Sequence, residues 1–209
     1  IPAVTDDEQY LVLYVYHAAL NRNRIYYRPL ADVDGDFVQL MPEPDAEYTP
    51  LGAADGVMYF KTDLDAPRGR IIAVDLDNPA RENWRDVVPQ SDDVIDFSTM
   101  ANGQLVVAYM HNAYHQLKVY ELDGTFVRDI ALPGIGSLLG LSGNQNDSEM
   151  FINFNSYLIP PTVYRYDFET HSMSPLLETE TGFNVSDYET TQVFYPSKDG
   201  TKVSMFITH

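Results

Sequence analysis

"DVIDFSTMANGQLVVAYMHNAYHQLKVYELDGTFVRDIAL", Asp93–Leu132, decides the fold class. It holds four short runs rich in β-branched and aromatic residues: "DVIDFST", "QLVVAYM", "QLKVYEL" and "FVRDIAL". Asn102-Gly103 and Asp123-Gly124 punctuate them, and such pairs between alternating apolar runs mark β-hairpins. "HNAYH" (His111–His115) reads as a loop between the second run and the third. Helix-period signals are nearly absent here and elsewhere.

The same unit recurs on both sides. Toward the N-terminus, "QYLVLYVY" (Gln9–Tyr16), "RIYYRPL" (Arg24–Leu30) and "FVQLM" (Phe37–Met41) read as strands. "AEYTPL", "VMYFKT", "RIIAVDL" and "WRDVV" make a second set, with a turn at Asp55-Gly56. Toward the C-terminus, "SLLGLS", "EMFINF", "TVYRYDF" and "MSPLL" make a fourth. The period is roughly 45 residues with four strands per unit, as in the blades of a β-propeller. One four-stranded sheet has two apolar faces and cannot bury both alone, whereas sheets stacked around an axis cover each other. A β-sandwich also uses short strands but requires no repeating four-strand unit.

The reading is therefore all-β: a partial β-propeller of four-stranded antiparallel blades at 1–44, 45–91, 92–135 and 136–185. The first unit opens at Asp6-Asp7-Glu8, where the turn after a first strand belongs, so its inner strand is expected to be missing. That leaves about three and three-quarter blades, fewer than the four to eight of a closed ring. Open arcs expose apolar faces and strand edges, so edge-to-edge self-association is expected. The chain is accordingly expected to be a piece cut from a longer protein at both ends.

Composition narrows the partners. The chain has 209 residues, with 13 Lys+Arg against 31 Asp+Glu and a formal net charge of −18. Such a surface repels phosphates and anionic lipid, so neither nucleic acid nor membrane is an expected partner. No segment reaches the 18 or so consecutive apolar residues of a membrane helix, and no secretory signal is visible. Cysteine is absent, which excludes disulfides and thiolate metal sites. A soluble chain is expected, its compartment left open between cytoplasm and periplasm.

Two stretches carry a family likeness. "NFNSYLIPPTVYRYDF" (Asn153–Phe168) resembles the Ser-Phe-Leu-x-Pro-Gly-x-x-Tyr-x-Tyr-Asp segment in the last propeller blade of prolyl oligopeptidases. "DYETTQVFYPSKDGTKVSMFITH" (Asp187–His209) resembles the start of that family's α/β-hydrolase domain, usually Phe-Tyr-x-Ser-Lys-Asp-Gly-Thr-Lys-x-Pro-Met-Phe. "NPARENWRDVVPQ" and "GIGSLLGLSG" fit preceding blades. Pro161 departs from the family's Gly, and Ser204 from its Pro. The resemblance implies a seven-bladed propeller over the mouth of a serine peptidase that cleaves short peptides after proline. Residues 186–209 would then start the catalytic domain, and the missing blades and catalytic domain would be native partners. The alternatives are a stand-alone propeller that binds a protein or peptide, and a related oligopeptidase with basic-residue specificity.

Catalytic residues are not expected in this chain. A nucleophile elbow requires Gly-x-Ser-x-Gly at a strand-to-helix turn. The nearest match, Gly140-Leu141-Ser142-Gly143-Asn144, has Asn at the last position and reads as a blade turn. Gly134, Gly136 and Gly140 miss the dinucleotide spacing. Asp32, Asp34, Asp36 and Glu43 fall at calcium-loop positions, but Phe37 stands where Gly is obligatory and a hairpin turn is expected. His111 and His115 would face one zinc only on a helix. No metal and no cofactor is expected. Asn146 and Asn184 fit the glycosylation pattern, relevant only in a eukaryotic secretory setting. Trp84 and the tyrosine-rich strands are expected to pack between blades.

One loop is a candidate for touching substrate. Second-to-third-strand loops share a face with the blade connections, and the resemblance implies that this face meets the hydrolase. In "YHAALNRN" (Tyr16–Asn23), Tyr16, His17, Ala18 and Ala19 are the candidate substrate-facing residues. Asp63–Gly69, "DLDAPRG", holds the same topological position.

Overall fold

The computed structural model describes residues 1–16, 20–177 and 181–209. Every regular element among them is a β-strand or a single 3₁₀ turn, at Arg81–Asn83 and Val185–Asp187.

Four four-stranded antiparallel sheets follow one another. The first contains β1 (Pro2–Val4), β2 (Tyr10–Tyr16), β3 (Asn23–Pro29) and β4 (Val38–Met41). The second contains β5 (Tyr48–Ala54), β6 (Val57–Thr62), β7 (Arg70–Asp75) and β8 (Arg85–Val88). The third contains β9 (Val94–Ala101), β10 (Gln104–His111), β11 (Tyr114–Tyr120) and β12 (Phe126–Ile130). The fourth contains β13 (Gly136–Gly143), β14 (Glu149–Ser156), β15 (Thr162–Asp167) and β16 (Ser172–Pro175). Within each sheet the spatial order is the chain order, the meander of a propeller blade. A separate hairpin, β17 (Thr190–Pro196) and β18 (Lys202–Thr208), ends the chain.

Two local expectations are corrected. The first blade has its inner strand, because Pro2, Ala3 and Val4 pair with Leu13, Val12 and Leu11. Three residues are too few for a period-2 pattern to register, so only pairing reveals the strand. "HNAYH" is not a loop: β10 runs through His111, β11 starts at Tyr114, and Asn112-Ala113 is a two-residue turn. Both turn residues have positive φ, 48° and 71°, which matches the twist of a tight hairpin. Asn102-Gly103 does the same with φ of 52° and 66°.

Burial follows the blade stacking. One core cluster joins the first two blades through Val12, Ile25, Met41, Tyr48, Met58 and Phe60. A second joins the next pair through Ile71, Val88, Ile95, Met100, Leu105 and Val107. A third joins the last pair through Val106, Leu117, Leu138, Met150, Ile152 and Phe154. Trp84 packs on the first of these, its ring edge-on to Tyr48 at 6.1 Å and its indole N–H donating to Pro79 O. Close approach fixes Gly124: a Cβ there would sit 2.1 Å from the Val87 carbonyl oxygen of the neighbouring blade.

Polar groups finish each seam at one end. The buried side chain of Asn23, at the start of β3, donates to Tyr48 O (2.8 Å) and accepts from Tyr48 N (2.7 Å). The Ile95 N–H donates to Arg68 O at 2.8 Å. The Leu138 N–H donates to His115 Nδ1 at 3.0 Å. At the opposite end the turn tips converge. Asp6 accepts from Gln145 N (3.2 Å), and its carbonyl accepts from Asn146 Nδ2 (3.3 Å), so the inner turns of the first and fourth blades meet.

Candidate functional site on the loop face

Strands 1 and 3 of each blade run away from the face that carries the 2–3 loops, so the blade connections return to that same face. Tyr16 ends β2 on it and is 47% exposed. His17, Ala18 and Ala19 lie outside the described residues. The counterpart stretch Asp63–Gly69 is engaged structurally: Asp63 Oδ1 accepts from Glu47 N (2.7 Å), and Ala66 is buried.

The C-terminal hairpin rests on this face. Gln192 Nε2 donates to Asn112 O at 2.6 Å, tying β17 to the tip of the third blade. The Phe206 ring of β18 lies 5.7 Å from the ring of Tyr157, in the 2–3 loop of the fourth blade. Between hairpin and blades opens a cleft of about 230 Å³, bordered by Tyr114, Gly136, Asn155, Ser156, Tyr157 and Phe206.

Two His–Asp pairs border the third blade, and the sequence did not single them out as pairs. His111 Nδ1 lies 2.9 Å from both carboxylate oxygens of Asp93, and Asn112 Nδ2 lies 2.9 Å from His111 Nε2. His115 Nε2 lies 3.0 Å from Asp96 Oδ2, while its Nδ1 takes the Leu138 N–H. An aspartate on one ring nitrogen is half of a catalytic relay, but the base also needs its other nitrogen free for the nucleophile. In both rings that nitrogen is occupied, so each histidine is a structural bridge. The four residues are spread over the first three strands of the blade, with Asp93 just before β9, Asp96 in β9, His111 at the end of β10 and His115 in β11, so their spacing in sequence gives no pairing signal.

The serine of the elbow-like motif is also structural. Gly140, Leu141, Ser142 and Gly143 lie inside β13, with Ser142 opposite Phe151, and form neither a turn between strands nor a strand-to-helix turn. Gly143 serves packing, since a Cβ there would sit 2.9 Å from Ala101 Cβ. Asp32–Glu43 is the β3–β4 connection running on into β4. Among the described residues, no group of three or more His, Asp or Glu side chains is placed to hold a metal ion. Asn184 accepts from Ser186 N and caps the Val185–Asp187 turn.

The loop face presents exposed aromatic rings and turn backbone. Comparison with known proteins gives the family. The family model described as the N-terminal beta-propeller domain of prolyl oligopeptidase matches residues 2–179. A prolyl endopeptidase of Elizabethkingia meningoseptica is 32% identical over 206 residues, covering 99% of this chain and 29% of that protein. The dual function macrocyclase-peptidase POPB of Amanita bisporigera is 30% identical over 216 residues, 97% of this chain and 29% of its own length. A prolyl endopeptidase structure solved to study inter-domain dynamics in catalysis and specificity superposes with a TM-score of 0.90 at 32% identity, covering 99% of this chain and 30% of that one. Prolyl oligopeptidase B from Galerina marginata, bound to a 25mer macrocyclization substrate, superposes with a TM-score of 0.83 at 29% identity and the same coverage. The chain thus spans under a third of the length of these relatives.

Proposed function

Because the chain belongs to the prolyl oligopeptidase family, within its N-terminal β-propeller region, we propose that it is a non-catalytic gating part of a serine peptidase that cleaves short peptides after proline. The single observation that carries this reading is the seat of the C-terminal hairpin on the loop face, through Gln192–Asn112 and Phe206–Tyr157. A hairpin that opens the catalytic domain has to leave the propeller on the side where the active site lies. The loop face is then the wall of the substrate chamber; of the substrate-facing candidates Tyr16, His17, Ala18 and Ala19, the first two serve the subsites upstream of the scissile proline. Exposed aromatic rings suit that role, because they stack on prolyl and apolar side chains at small entropic cost.

Asp6, Gln145 and Asn146 link the inner turns of the first and fourth blades at the opposite end. In a complete ring such turns would surround the axial passage, and the proposed gate is a ring too narrow for a folded protein but passable by a flexible peptide. On this reading the nucleophile, general base and oxyanion donors belong to the part of the relatives' length that this chain does not span.

The test is turnover. The 209-residue chain alone is incubated with a blocked proline-containing chromogenic peptide, alongside an intact family peptidase. No release above buffer is expected from the chain. Release that is abolished by a serine-directed inhibitor overturns the non-catalytic reading.

A further inference from the structure

We infer that His115 is a proton-sensitive latch between the third and fourth blades: neutral, it holds Leu138 across the seam, and protonated, it releases it. The inference stands apart from the peptidase reading and does not rest on it.

The hydrogen bonds fix the state of the ring. The Leu138 N–H donates to His115 Nδ1 at 3.0 Å, so that nitrogen offers a lone pair and carries no hydrogen. The one hydrogen of the neutral ring then sits on Nε2, where Asp96 Oδ2 accepts it at 3.0 Å. An imidazolium carries a hydrogen on both nitrogens and accepts at neither. Protonation therefore sets one N–H against another across the seam, and that bond is lost. Turning the ring over restores nothing, because both of its nitrogens are then donors.

Burial raises the stakes. His115 is 4% exposed and Leu138 3%, so a released Leu138 N–H stays out of water unless the seam opens. The ring is held beside Phe97, 5.8 Å away, and opposite Met110 in the β10–β11 ladder.

The charges around it set the balance. Asp96 on β9 faces Nε2, and Lys61 of β6 donates to the Asp96 carbonyl at 3.0 Å. Lys118 of β11 and Asp129 of β12 border the same outer groove as His115. From the fourth blade, β13 brings no ionisable side chain. Asp96 favours the imidazolium and Leu138 opposes it. Binding a proton thus exchanges a bond between two blades for an ion pair within one.

Position gives the exchange a consequence. The C-terminal hairpin is tied to the third blade through Gln192–Asn112 and touches the fourth through Phe206–Tyr157, so it straddles this seam. Releasing Leu138 lets its two footings move relative to each other. His111 lacks this property. Its Nε2 faces the Asn112 side-chain amide, which can turn to present its oxygen, and a backbone N–H cannot.

The experiment is an NMR titration of the ¹⁵N-labelled chain from about pH 8 to 5, across the ordinary imidazole range near 6.5. At the upper end the His115 ring is expected as the Nε2–H tautomer. On acidification its ring signals and the Leu138 amide should move with one shared midpoint. Leu138 hydrogen exchange, corrected for the intrinsic effect of pH, should speed up about 5-fold or more. His115→Asn keeps an acceptor that does not titrate and should abolish the Leu138 response, whereas His111→Asn should preserve it. An Nδ1–H tautomer at pH 8 overturns the latch, as does a ring that stays neutral throughout or a Leu138 amide that does not follow the ring. These three outcomes are read on the wild-type chain, so the test stands even where a variant fails to fold.

Discussion

Asn23 holds Tyr48 as a neighbouring strand would: its amide accepts the Tyr48 N–H at 2.7 Å and donates to the Tyr48 carbonyl at 2.8 Å. Both residues are fully buried. A single side chain thereby joins the start of β3 to the start of β5 and satisfies backbone groups that the sheet ladders leave unpaired.

Removing it should be expensive. Asn23→Ala leaves a buried N–H and a buried C=O without partners, at about 1–3 kcal/mol each. The urea midpoint should fall by a large fraction of the protein's stability. A fall equivalent to under about 0.5 kcal/mol would show that water replaces the amide.

His115 does comparable work at the seam between the third and fourth blades. Its Nδ1 accepts from Leu138 N, and its Nε2 faces Asp96. His115→Asn keeps an acceptor near the Nδ1 position, so it should cost less than His115→Phe, which strands the Leu138 N–H. Thermal unfolding of the two variants checks the order, and equal losses would indicate that ring packing alone matters.

Gly124 has φ of +92° and faces the Val87 carbonyl of the preceding blade. Gly124→Ala brings a methyl group into backbone, where no side chain can turn aside. Strain and seam displacement together should cost about 2 kcal/mol or more. Gly56→Ala, with φ of +77° but open space around it, should cost only the conformational part, about 1 kcal/mol. Denaturant unfolding of both separates contact from conformation.

Asp45 gives the seam a pH dependence. Burial pushes its carboxyl up, but hydrogen bonds from Tyr48 and Arg81, with the Arg81 charge, outweigh that and hold it below the ordinary aspartate value. The bonds are Tyr48 Oη to Oδ1 at 2.7 Å and Arg81 Nη2 to Oδ2 at 2.7 Å. A carboxyl lowered by folding contributes stability above its unfolded value, near pH 4, and loses it as pH falls through the lower folded value. Wild type should therefore be more stable than Asp45→Asn at pH 7, and the gap should close below about pH 4. A gap that stays constant between pH 7 and 2 would remove Asp45 from the account.

Much of this was legible in the residues. Strand runs such as "QLVVAYM" alternate with turn pairs, and turn chemistry with period-2 burial is local physics. The β1 strand was not legible, because three residues carry no period. The Asn112-Ala113 hairpin was missed because Ala is a poor indicator of positive φ, whereas Asn102-Gly103 announced itself. Gly140–Gly143 looked like a turn because glycine is ambiguous: here it permits close packing within and against β13. Of the four candidate residues, only Tyr16 lies in the described part, and it is exposed.

The amino-acid order alone determined most of the strands, the four-strand repeat and the family likeness, since these depend on neighbours within one unit. Only the tertiary structure decided which side chains fasten the units. Asn23 and Tyr48 are 25 residues apart, His115 and Leu138 are 23 apart, and Asp6 and Gln145 are 139 apart. A hydrogen bond depends on distances of about 3 Å, and no local pattern encodes which distant backbone group will arrive there.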